Sequence, residues 1–93
     1  MLKPMYAILT VDIPDINDYQ LSQQRLCDAS SLLRLLSKIE PNATGILRLG
    51  EYVWQIDLNK SYSFLAALTA EASRLGISYK ILFLDQDPHW ITG

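Results

Sequence analysis

Residues Thr44 to Leu58 read TGILRLGEYVWQIDL, two strand-like runs (Thr44–Leu49 and Tyr52–Leu58) around Gly50-Glu51. A two-residue loop with glycine first suits a type II′ hairpin turn, whose twist matches that of the strands it joins. In the second run Tyr52, Trp54, Ile56 and Leu58 alternate with Val53, Gln55 and Asp57. A period of two marks a strand with one buried face, and the aromatic-aliphatic set is expected inside.

A helical pattern lies on each side of this hairpin. Upstream, Asp18 to Ile39 carries Leu26, Ala29, Leu33 and Leu36 at three- and four-residue spacing, with Leu32 on the flank and Leu35 on the opposite side. Asp15 or Asn17 is expected to cap it, and Pro41, Asn42 and Gly45 end it. Downstream, Asn59 or Ser61 opens a second helix with Leu65, Leu68, Ala72 and Leu75 as its stripe and Gly76 as a left-handed C-cap.

A further strand lies at each end. Met5 to Ile13 places Met5, Ala7, Leu9, Val11 and Ile13 on one wholly apolar face, and Pro14 closes it. Ile77 to Asp85 alternates Ile77, Tyr79, Ile81 and Phe83 with Ser78, Lys80, Leu82 and Leu84, leaving residues 86–93 as a polar tail. The order β-α-β-β-α-β predicts an α+β, ferredoxin-like domain over residues 1–93, a four-stranded antiparallel sheet with two helices on one face.

Composition narrows the function. The 93 residues are 49% apolar and include eight Lys+Arg against ten Asp+Glu, a net charge of −2. No basic field draws in nucleic acid or acidic lipid, so nucleic-acid and membrane partners are not expected. One Cys and one His exclude a disulfide framework, a Cys-rich zinc site and a His-rich metal site. The apolar stretch Met5 to Val11 is too short to span a bilayer and lacks a signal-peptide cleavage site. Cytoplasmic residence is the expectation, consistent with a single Cys27.

Two helices cover one sheet face. Parity assigns to the other Tyr6, Ile8, Thr10, Asp12, Ile46, Arg48, Val53, Gln55, Asp57, Lys80, Leu82 and Leu84. Of these, Tyr6, Ile8, Ile46, Val53, Leu82 and Leu84 are apolar or aromatic, whereas a solvated antiparallel face normally reads polar. Self-association into a sheet-on-sheet homodimer follows, since two-fold dimers are the commonest oligomers. Coverage by the tail, with Trp90 and Ile91 folding back, is the alternative.

Candidate chemistry is sparse. Asp12 and Asp57 are expected side by side at strand ends on the open face, a pair able to hold Mg²⁺ or share a proton, although strand-end aspartates more often cap turns. Asp85, Asp87 and His89 form a second carboxylate-imidazole cluster with metal-ligand character. Cys27 sits mid-helix beside Asp28 with no base at hand, and no Ser has nucleophile-elbow context. Tyr6 is the one aromatic on the open face, against the stacked aromatics of RNA-recognition sheets.

The topology and Ile8-Leu9-Thr10-Val11-Asp12 are similar to those of small CRISPR-associated endonucleases and related toxin–antitoxin nucleases. That resemblance covers the fold plan and those five residues; it implies Asp12 at a Mg²⁺ site in a dimer, and the acidic balance departs from it. The residues themselves favour a non-catalytic regulatory module, homodimeric through the open sheet and recognising a protein partner, with no cofactor. The Mg²⁺-dependent nuclease and a small-ligand sensor are the alternatives.

Overall fold

The computed structural model describes residues 4–86, 88, 90 and 91. Its elements run β1 (Tyr6–Val11), α1 (Gln23–Ile39), a 3-10 turn (Glu40–Asn42), β2 (Ile46–Gly50), β3 (Val53–Asp57), α2 (Leu58–Arg74) and β4 (Tyr79–Leu84). The four strands form one antiparallel sheet in the order β2-β3-β1-β4. The fold is α+β, with a single core between the sheet and the two helices. No helix among the described residues is long and apolar enough to cross a membrane.

The alternation in β1 and β3 holds. Ala7, Leu9 and Val11 of β1 and Trp54 and Ile56 of β3 are buried against Ala29, Leu32 and Leu36 of α1 and Phe64, Leu65, Leu68 and Ala72 of α2. Each fully buried Leu or Ile contributes about 1.5–3 kcal/mol relative to exposure, and the core is this layer. Leu32 is fully buried and Leu33 only partly, so the stripe of α1 is rotated slightly from the expected one. Phe64 meets the Trp54 ring edge-on, with centroids 5.9 Å apart.

Helix α1 starts later than its sequence pattern suggests. Asp15 Oδ1 accepts from Asn17 N and Asp18 Oδ1 from Gln20 N, so both carboxylates close local turns rather than cap the helix. Ser22 takes the cap, its Oγ accepting from Arg25 N at 3.2 Å. Helix α2 follows β3 without a loop, capped by Asp57, whose carboxylate accepts from Asn59 N at 3.0 Å. Ser61 departs from helical backbone within α2, and its hydroxyl donates to Thr44 O, tying the helix to the chain entering β2. Gly76 ends the helix region at φ +69°, as its C-cap role requires.

The hairpin differs from expectation by one residue. Gly50 pairs with Val53, and the register shifts between Arg48 and Gly50. The turn is therefore Glu51-Tyr52, and Gly50 does not take the positive φ of a type II′ turn. Arg48 braces it, Nε donating to Glu51 O at 2.9 Å and to Gly50 O at 3.3 Å.

Candidate functional site

Residues facing away from the helices are fixed by the pairing. Leu47 of β2 lies across from Gln55 of β3, Gln55 from Ile8 of β1, and Ile8 from Leu82 of β4. These four make one row over the whole open face. Beside it, Asp57, Tyr6 and Leu84 form a second row, and Val53, Thr10 and Lys80 a third. Leu47 and Leu82 are 50% and 58% exposed, and Leu49 is 38% exposed. Tyr6, Ile8, Val53 and Leu84 are half-buried.

Ile46 and Arg48 do not belong to this face. Ile46 pairs with Ile56 and packs on the core, while Arg48 pairs with Trp54 on the helix side. The Arg48 guanidinium lies 5.3 Å from the Trp54 ring and 5.8 Å from that of Tyr52, and its Nη1 reaches Glu40 Oε1 at 3.1 Å. A cation over aromatic faces with a carboxylate partner is stable at a sheet edge, so charge does not turn this residue outward. Leu47, rather than Ile46 or Arg48, supplies the side chain of β2 opposite Gln55, and Leu49 lies at the register shift. Three aliphatic residues within Ile46–Leu49 leave the parity of β2 ambiguous, which is why Leu47 escapes a reading by pattern.

Among the described tail residues, Trp90 reaches this face. Trp90 Nε1 donates to Gln55 Oε1, setting an indole over the polar position between Leu47 and Ile8. Trp90 remains 50% exposed and Ile91 91% exposed, so Ile91 does not cover the sheet. Asp85 is exposed, and Asp87 and His89 lie outside the described residues.

Asp12 and Asp57 do not form a pair. Strands β1 and β3 are antiparallel with Tyr6 opposite Asp57, so Asp12, six residues beyond Tyr6, stands at the other end of the sheet. At about 3.3 Å per residue the separation is roughly 20 Å, far beyond sharing one ion or proton. Both lie at a strand's C-terminal end, but neighbouring antiparallel strands put those ends at opposite ends of the sheet. Asp57 serves as the α2 cap. Among the described residues no three His, Cys, Asp or Glu side chains gather as metal ligands.

Asp12 instead lines an open cleft of about 500 Å³ with Thr10, Glu51, Tyr52, Ser78, Tyr79 and Lys80. It is made where β1 leaves the sheet, Val11 N donating to Tyr52 O at 3.1 Å and Asp12 N to Ser78 O at 2.8 Å. Partial burial, reinforced by the Glu51 carboxylate, raises the Tyr52 hydroxyl above its ordinary pKa. Cys27 is exposed on α1.

No protein-family model matches this chain, and no curated protein or solved structure is significantly similar to it.

Proposed function

We propose that the chain is a non-catalytic binding module on a ferredoxin-like plan, associating with a second copy through the open face of its sheet and presenting the assembly to a protein partner. The β-α-β-β-α-β order, with the hairpin strand β3 beside β1, supports the plan. The observation that carries the binding reading is the row Leu47, Gln55, Ile8, Leu82, with both terminal leucines at least half-exposed. Placing Trp90 over Gln55 leaves that row without an uncovered polar centre.

Size is consistent with a modest dimer. Four strands about 4.8 Å apart and five to six residues of about 3.3 Å each make a face of roughly 19 by 18 Å. That is roughly 340 Å² of flat area per copy, about 700 Å² for the pair before side-chain relief, below the ~1,200 Å² lower end of standard interfaces, so the expected self-association is weak and transient. Light scattering across a concentration series, repeated on Leu47→Glu, tests the reading.

A small-ligand reading is favoured by the Asp12 cleft, whose volume falls in the range of small-molecule sites and whose polar groups converge from the ends of two strands and a turn. Its test is Asp12→Asn and Lys80→Gln against a panel of small metabolites, read by amide chemical shifts of Thr10, Ser78 and Tyr79. A nuclease reading retains Asp12 alone within one chain; loss of Mg²⁺-dependent cleavage in Asp12→Ala is its test.

A further inference from the structure

We infer that β4 is also a pairing edge, and that its occupant is β4 of a second copy, extending the two sheets into one. This goes beyond the open-face reading and does not depend on it. Among the described residues both outer strands of the sheet have a free edge, but they are built differently. Strand β2 is short, carries a register shift between Arg48 and Gly50, and holds Arg48 at its middle. Bulges and charges of this kind are how edge strands resist pairing. Strand β4, Tyr79-Lys80-Ile81-Leu82-Phe83-Leu84, pairs with β1 without a register shift, contains no proline and has one charge.

It is also apolar on both sides, the composition of a strand with neighbours all round rather than of a half-wet edge. Leu82 is 58% exposed on the open side, while Phe83 and Tyr79 are 52% and 37% exposed on the helix side. The helices reach only as far as Ile81, which packs on the core, and the Tyr79 hydroxyl, within 3.2 Å of Ser73 Oγ.

Ladder parity selects the partner. Asp12 N donates to Ser78 O, so Ser78, Lys80 and Leu82 turn their peptide groups toward β1. Those of Tyr79, Ile81 and Phe83 point outward. A two-fold related β4 runs antiparallel and offers the same three outward residues. Setting Ile81 against its own copy places Tyr79 against Phe83 of the second copy and Phe83 against its Tyr79, so that every outward donor and acceptor is matched. Residues of one parity share a face, so the helices of both copies stay on one side. The aromatic pairs cover Phe83, and Lys80 lies opposite Leu82 of the second copy rather than another cation. The strand is complementary to itself in this register.

The test uses the full chain with Cys27→Ser, Tyr79→Cys and Phe83→Cys. In the paired edge the two introduced thiols face each other across hydrogen-bonded pairs with Cα atoms about 5.5 Å apart, within disulfide reach. Within one chain they are four residues apart on an extended strand, about 13 Å, and cannot close. Mild oxidation should convert most of the protein to a covalent dimer, and Leu47→Glu added to this chain should not reduce the yield. Phe83→Pro, which removes an outward N–H and spares the β1 ladder, should weaken association at least tenfold. A folded triple variant that stays monomeric on oxidation overturns the edge contact. If Leu47→Glu abolishes association while Phe83→Pro leaves it unchanged, the edge contact is overturned and the open-face reading stands. The reverse pattern supports the edge and removes the face.

Discussion

Trp54 Nε1 donates to Glu40 Oε2 at 2.7 Å, joining the centre of the core to the turn that ends α1. Trp54 is fully buried, and the other oxygen of Glu40 holds Arg48, which in turn lies over the Trp54 ring. Removing the carboxylate strands a buried indole N–H and frees the guanidinium together. Glu40→Ala should therefore cost about 2–3 kcal/mol, whereas Glu40→Gln, which keeps an acceptor, should cost about 1 kcal/mol or less. Urea unfolding followed by tryptophan fluorescence separates the two. Equal losses would show that the side-chain acceptor is not what holds α1 to the sheet.

Asp57 is expected to behave as a helix cap. Asp57→Ala should lower stability by about 1 kcal/mol, and Asp57→Asn, which still accepts from Asn59 N, by a few tenths. Thermal melts with and without millimolar Mg²⁺ make the comparison. A Mg²⁺-dependent rise in Tm that Asp57→Asn removes would mean that the carboxylate serves an ion instead.

Two glycines with positive φ should respond differently to alanine. Gly76 is at φ +69° with nothing within 4 Å of an added Cβ, so Gly76→Ala carries only the left-handed backbone penalty of about 1–2 kcal/mol. Gly45 is at φ +72°, and an added Cβ would lie 3.0 Å from Lys60 Cβ and 3.1 Å from Asp57 Cβ. Gly45→Ala should be the more damaging of the two, because those neighbours sit where β3 passes directly into α2. Denaturation midpoints of both variants check the order.

Much of this was legible in the residues. The strict alternation in β1 and β3 identifies their buried faces correctly, because each carries an unbroken apolar set on one parity. The same logic fails in β2, where Ile46, Leu47 and Leu49 occupy both parities and the single charge, Arg48, turns inward onto aromatic rings. The start of α1 fails for a different reason. Asp15 and Asp18 have the chemistry of caps but spend it on their own turns. Local periodicity also says nothing of which strand lies beside which or in what direction, and the supposed Asp12–Asp57 pair fails on that point. Phe83 is on the expected side of β4, but parity does not reveal that the helices stop short of that edge.

The raised pKa of Tyr52 has a consequence at alkaline pH. Its folded-state value lies above the unfolded value of about 10, since burial and the Glu51 carboxylate both disfavour the phenolate. The stabilisation this represents is fully present below pH about 10 and is lost as pH rises through the folded pKa, because the unfolded chain releases that proton first. A tyrosinate absorbance titration should show one late-titrating hydroxyl that Tyr52→Phe removes. An unchanged titration curve in Tyr52→Phe would contradict the assignment.

The most direct measurement is the self-association of the wild-type chain beside Leu47→Glu and Leu82→Glu by sedimentation equilibrium. These residues end one row on the open face and are at least half-exposed, so a carboxylate at either should leave the fold intact while placing an unpaired charge in a sheet-on-sheet contact. The expected result is wild-type self-association below hundreds of micromolar that both variants weaken, leaving at most the β4-edge contact in each. Variants that associate as tightly as wild type, or a wild-type chain still monomeric at hundreds of micromolar, would contradict docking through the open face.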